Sequence, residues 1–119
     1  ARGGPVQQDF TYSGSNEIAE VAWYGGNSGS RTRPVATRKP NTLGVFDMSG
    51  NAWEWCWDWR DDYDPSAKIN PHGPDTGSLR VLRGGSWNYG AEDCRVANRG
   101  SNNPGYARLD YGFRLARTF

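Results

Sequence analysis

The residues best suited to chemistry lie in Asp47-Met48-Ser49-Gly50-Asn51-Ala52-Trp53-Glu54. Asp47 and Glu54 are hard anionic oxygen donors, and Gly50 between them lets the backbone turn so that carbonyls face inward. Calcium takes about six to eight oxygens and mixes carboxylates with main-chain carbonyls, so this grouping suits it. The stretch is too short for an EF-hand loop. A capped turn, in which Asp47 and Asn51 bind backbone amides, explains the same residues without a metal. Elsewhere the signals are weaker. His72 is the single histidine and sits in Asn70-Pro71-His72-Gly73-Pro74, with no nucleophile motif near it, so no catalytic triad is assembled around it. Asp61 and Asp62 read as a solvated loop rather than an acid–base pair. Cys56 and Cys94 have neither Cys-x-x-Cys nor zinc-ligand spacing. Two buried free thiols or one Cys56–Cys94 bridge would each account for them. Arg31, Arg33, Arg38 and Lys39 cluster around Pro34 and Pro40 as an anion site would want, but a solvated connector explains them as well.

The element that must position these groups is the next stretch. Trp53, Trp55, Trp57 and Trp59 recur at every second residue. That period predicts a strand over 52–59 with all four indoles on one face, where a helix would scatter them. Each buried indole removes roughly 150–250 Å² from water, so the row is expected to anchor the core. Leu79–Arg83 reads as a second strand, ending where Gly84-Gly85 lets the chain turn or approach another segment closely. Phe113–Arg117 reads as a closing strand and Val21–Tyr24 as a short early one. Residues 88–112 form a polar tract of Asn, Gly, Asp, Ser and Tyr, and nothing along the chain has the period of a long helix.

Composition narrows the classes. Leu, Ile, Val and Phe make up only 17 of the 119 residues, a level at which disorder must be considered. The formal net charge of +1 and the six Trp and six Tyr argue instead for a folded, aromatic-cored, loop-rich domain punctuated by 16 Gly and 7 Pro. With 14 basic and 13 acidic residues there is no electrostatic footprint for nucleic acid. No apolar run approaches the ~18–20 residues that span a bilayer.

Several motifs in order carry a resemblance. Pro40-Asn41-Thr42-Leu43-Gly44-Val45-Phe46-Asp47-Met48-Ser49-Gly50-Asn51-Ala52-Trp53-Glu54-Trp55, together with Ala1-Arg2-Gly3-Gly4, Arg80–Trp87 and Gly112-Phe113-Arg114, resembles the formylglycine-generating (sulfatase-modifying factor) domain family. The resemblance implies an α+β, C-type-lectin-like fold in its formylglycine-generating variant, loop-rich with short strands and little helix. It also implies that residues 1–119 correspond to the C-terminal part of one such domain, without its N-terminal half. It implies a structural calcium ion held by the Asp47 and Glu54 side chains and the Gly50 and Ala52 carbonyls. Enzymes of the family oxidise a cysteine with copper held by two cysteines soon after Gly-Gly-Ser. Here that window holds Tyr89 and one cysteine, Cys94. A soft Cu(I) site wants a thiolate pair, so copper and the oxidase chemistry are not expected.

The tail is similar to a branch of the family, the variable proteins diversified by retroelements. Gly85-Ser86-Trp87-Asn88, Cys94–Arg99, Asn102-Asn103-Pro104 and Gly112–Ala116 carry that likeness. It implies a variable binding region over 88–111, with contacts at Asn88, Tyr89, Gly90, Glu92, Asp93, Gly100, Ser101, Asn102, Gly105, Tyr106, Asp110 and Tyr111. Most of these are residues that an Asn codon yields when its adenines change; Glu92 is not, and needs another template codon or is fixed. Tyr supplies rigid amphipathic contact while Ser, Gly and Asn adapt their hydrogen bonds, although any Gly/Asn-rich loop shares that composition. The expected function is non-enzymatic binding of a protein or other surface ligand, which would suit a bacterial cell surface or the secreted space. A formylglycine-generating-type oxidase or its inactive relative is the alternative, and a carbohydrate-binding lectin the third, though no lectin-type calcium–sugar motif is present.

Overall fold

The Trp-alternating stretch forms an inner strand of a four-stranded sheet. A computed structural model describes residues 9–63, 65–66 and 73–117; the Ala1–Gly4 motif and His72 lie outside the described residues. In chain order the elements are a single helical turn α1 (Ile18–Val21), β1 (Trp53–Trp59), β2 (Arg80–Arg83), a 3-10 turn (Ala91–Cys94), β3 (Gly100–Asn102) and β4 (Tyr111–Gly112). The sheet order is β3-β2-β1-β4. β1 runs antiparallel to β2, β2 antiparallel to β3, and β4 joins β1 in parallel. Among the described residues the architecture is α+β, with one sheet, almost no helix and long loops. No helix among the described residues is long and apolar enough to cross a membrane.

Register assigns the faces. Trp55 pairs with Leu82, Leu82 with Gly100, Arg80 with Asn102 and Trp53 with Tyr111. Side chains alternate along a strand and paired residues share a face. One face therefore carries Trp53, Trp55, Arg80, Leu82, Gly100, Asn102 and Tyr111, and the other carries Glu54, Val81, Arg83, Ser101 and Gly112. Close contacts agree: a Cβ on Gly100 would lie 3.3 Å from the Trp53 ring and 3.5 Å from the Leu82 side chain.

The four indoles are not equally buried. Trp53 is 4% exposed and joins Val21, Ala22, Val81, Leu82 and Cys94 in the core; Trp55 and Trp59 are half-buried; Trp57 is 85% exposed. The cause is a register shift. Between the pairs Trp55↔Leu82 and Trp59↔Arg80, β1 advances four residues while β2 advances two. The excess bulges out of the ladder and re-aims the side chain it carries. Arg80 covers the displaced rings, its guanidinium 4.7 Å from the Trp57 centroid and 3.4 Å from that of Trp59.

Two other expectations change. Val21–Tyr24 is not a strand: the Ala22 amide closes the turn of α1 on the Ile18 carbonyl at 2.9 Å, and residues 22–24 are irregular. The closing strand is Tyr111–Gly112 rather than 113–117. Past Gly112 the chain leaves the ladder, Arg114 turns to Glu54, and Phe113 and Leu115 stay 75% and 87% exposed. Their alternation is real, but no layer of the described residues covers it.

Candidate functional site: an aromatic face and an oxygen-lined groove

Parts of the polar tract wrap the aromatic face. Tyr89 meets Trp53 edge-on at 5.6 Å, and its carbonyl accepts the Gly25 amide at 2.8 Å. Tyr111 meets Trp55 edge-on at 5.4 Å. The Asn102 amide donates to the Tyr111 hydroxyl at 3.1 Å, and the Arg108 guanidinium lies 5.6 Å from the same ring. Edge-on aromatic pairs add about 0.5–1.5 kcal/mol beyond burial, so these tyrosines are held rather than loose.

The twelve tract residues singled out by sequence fall into distinct settings. Asn88, Glu92, Gly105 and Tyr106 are exposed, Tyr106 at 57%, while Tyr89, Gly90, Gly100, Asn102 and Tyr111 are half-buried on or beside the aromatic face. Ser101 points to the opposite face of β3. Asp93 is tied inward: its carbonyl and carboxylate accept the Asn98 amide at 3.0 and 3.3 Å. Asp110 is 2% exposed. Its carboxylate accepts the Ser86 hydroxyl at 2.9 Å and Arg108 Nε at 3.1 Å, and its carbonyl accepts the Trp53 amide at 2.8 Å. It joins the tract to the start of β1 and has no surface to offer a partner. Sequence reasoning missed Trp55, Arg80 and Arg108 as parts of this face. The alternation that placed the indoles together was the available signal, but it does not say which of them water reaches.

Beneath the tract, the turn before β1 holds the loops together. The Gly50 amide donates to the Gly84 carbonyl at 2.7 Å. Buried Ser49 accepts the Ser13 amide at 3.1 Å and donates to the Cys94 carbonyl at 2.8 Å. Gly85, at φ +73°, lies against the 3-10 turn: a Cβ there would sit 2.7 Å from Cys94 Sγ. This is the close approach that Gly84-Gly85 foreshadowed. Cys56 and Cys94 are both free thiols. Burial, then the negative charges of Asp93 and Glu92, push the Cys94 thiol up to about 12, and burial also raises that of Cys56. A thiol so protonated is a poor source of thiolate.

Asp47, Gly50, Ala52 and Glu54 all line one open groove of about 570 Å³, together with Phe46, Phe113 and Arg114. Asp47, Gly50 and Asn51 adopt φ of +57°, +78° and +66°, three left-handed positions within the turn. Asp47 and Asn51 do bind backbone amides. The Asp47 carboxylate accepts Ala36 N–H at 2.8 Å and the Asn51 side chain accepts Arg33 N–H at 2.9 Å. Glu54 is gripped by Arg114: Nε lies 3.1 and 3.0 Å from its two oxygens and Nη2 2.6 Å from the first, while Nη2 also donates to the Asp47 carbonyl at 3.2 Å. The bond to Glu54 holds the Arg114 guanidinium above its ordinary pKa. Among the described residues no group of three or more His, Cys, Asp or Glu could hold a metal, so an ion here would draw on main-chain carbonyls. Two carboxylate residues, Asp47 and Glu54, line the groove with Gly50 and Ala52, and oxygen donors of these types are what a hard cation such as calcium takes; the Gly50 carbonyl also accepts the Ala52 amide at 3.0 Å.

The family model for the sulfatase-modifying factor enzyme 1-like domain matches residues 1–119. The solved structure of Treponema denticola variable protein 1 superposes with a TM-score of 0.87 at 46% identity, covering 95% of this chain and 41% of that one. The chaperone protein LppX of Paenibacillus barcinonensis is 34% identical over 99% of this chain and 45% of its own length. The formylglycine-generating enzyme of Streptomyces coelicolor is 46% identical over 71% of this chain and 29% of its own. The chain thus spans less than half the length of each of these proteins.

Proposed function

The chain belongs to the sulfatase-modifying factor enzyme 1-like domain family, and within it we propose that it is a non-enzymatic, ligand-binding variable protein. The observation that carries the reading is the likeness to a variable protein along 95% of the chain. Geometry supports it: half-buried tyrosines braced on Trp53 and Trp55 leave the tips of the tract free to differ. Such an arrangement separates scaffold from contact. Rigid aromatic anchors with arginine supply most of the energy of a typical interface, and small polar residues around them adapt to the partner. The partner is a protein or another surface ligand, met at the cell surface or outside the cell.

The oxidase alternative has the formylglycine-generating relatives in its favour. Against it, Cys94 is fully buried with its thiol held protonated, and the second copper-binding cysteine of the family's enzymes is replaced in this window. Calcium is structural in this reading, held by Asp47, Gly50, Ala52 and Glu54, where it would brace the turn that aims β1.

Sequencing the DNA around the gene tests the reading. The expected result is a near-copy of the codons for residues 87–112 beside a reverse-transcriptase gene, differing mainly at template adenines. A locus without that copy overturns diversification. Conversion of a peptide cysteine to formylglycine in the presence of copper would restore the oxidase. For calcium, the melting temperature should rise on addition of the ion, because a ligand of the native state stabilises it; no change in titration calorimetry or melting counts against the site.

A further inference from the structure

We infer that Arg114 is a built-in competitor for the calcium site: its guanidinium and the ion are alternative cations on Glu54. The inference rests on the calcium reading above and adds what sets the affinity. Both Glu54 oxygens are engaged by Arg114, at 2.6 to 3.1 Å, and the same guanidinium reaches the Asp47 carbonyl at 3.2 Å. Arg114 therefore spans the two residues that would supply the anionic ligands, and it lines the same groove as all four candidate ligand residues.

Charge makes simultaneous occupancy unfavourable. A divalent ion about 4 Å from a guanidinium is repelled strongly enough, in a half-exposed setting, to weaken binding by about tenfold or more. Bidentate fork geometry also satisfies the carboxylate oxygens that the ion needs. Arg114 is free to leave without breaking the core. Its side chain is 37% exposed, and Phe113 and Leu115 on either side of it are 75% and 87% exposed. Without calcium the arginine neutralises Glu54, so the carboxylate is not left unpaired. With calcium the arginine is released, and the chain just beyond β4 leaves the groove. That strand carries Tyr111 on the aromatic face and pairs Gly112 with Glu54, so the cation held by Glu54 bears on the edge of the binding surface.

Calorimetric calcium titration of the whole chain, as wild type, Arg114→Gln, Arg114→Lys and Glu54→Gln, tests this. Arg114→Gln should bind calcium about tenfold tighter than wild type or better. It should melt lower than wild type in chelator, with the gap closing at saturating calcium. Arg114→Lys, which keeps the charge, should stay near wild type, and Glu54→Gln should lose binding. Equal or weaker calcium binding by Arg114→Gln than by wild type overturns the competition while leaving the calcium site standing. Absence of binding in both overturns the site and the competition together. If Arg114→Gln does not fold in chelator, the Nε–H signal of Arg114 in the 15N-arginine spectrum of the wild type decides: it should shift with the calorimetric midpoint, and a signal indifferent to bound calcium rules the exchange out.

Discussion

Asp110→Ala separates a contact residue from a structural one. If Asp110 were a diversified contact, removing its side chain would change binding and leave stability alone. The structure argues the reverse. Asp110 is 2% exposed, and its carboxylate accepts two hydrogen bonds, from Ser86 Oγ at 2.9 Å and Arg108 Nε at 3.1 Å. A hydrogen bond to a charged acceptor contributes about 1.5–3 kcal/mol, and a buried donor left without a partner costs about 1–3 kcal/mol. Ser86 is fully buried, so that arm counts in full. Arg108 is 38% exposed, so its arm is screened by water and the loss is set by the Ser86 arm. Asp110→Ala should therefore destabilise by about 2–4 kcal/mol, a large share of the roughly 5–15 kcal/mol available to a domain. Asp110→Asn keeps an acceptor for Ser86 and should lose only about 1–2 kcal/mol. Urea unfolding followed by tryptophan fluorescence measures both, with an unchanged m-value as the check that native and unfolded states are otherwise comparable. A loss for Asp110→Ala within about 0.5 kcal/mol, the range of an ordinary surface change, would refute the reasoning.

Trp53→Ala should cost about 3–5 kcal/mol as a core truncation, whereas Trp57→Ala, at 85% exposure, should cost no more than the ~0.5–1 kcal/mol of its contact with Arg80; equal losses in urea unfolding would contradict the bulge. Gly85→Ala forces a side chain onto a φ of +73° and to 2.7 Å from Cys94 Sγ, so a loss of at least ~2 kcal/mol is expected, and a neutral result would mean that the two segments do not touch. Because the Cys94 thiol is raised from about 9 to about 12 in the fold, its contribution is whole below pH ~9, where folded and unfolded chains both hold the proton. As pH rises from ~9 to ~12 the unfolded chain loses its proton first, so stability should fall by up to ~4 kcal/mol. Flat stability over that range, or rapid labelling of Cys94 by a thiol reagent in native protein at pH 8, argues against the burial.

How much was legible depends on the range of the interaction. The strand at β1 was legible because a period of two is a local property of the backbone. Its companion at Arg80–Arg83 was legible because Gly84-Gly85 ends it. Asp47, Gly50 and Glu54 stand out in the sequence by residue type and closeness in the chain, and all three line one groove. By contrast, β3 is Gly-Ser-Asn and has no apolar alternation, so only its pairing with β2 makes it a strand. The early strand expected at Val21–Tyr24 failed for the opposite reason, since a short apolar run fits a helical turn or a strand equally.

The sequence by itself determined the aromatic row, the turn before it and the polar tract after it, because each is a matter of residue type and spacing over a few positions. Tertiary structure decided what each of them does. A two-residue excess in β1 put Trp57 in water and left Trp53 in the core. Closure of the tract drove Asp110 inside onto Ser86, and return of the tail brought Arg114 to Glu54 across sixty residues of chain. Burial and ion pairing are set by which segments meet, and segments distant in the chain meet only through the sheet and its loops.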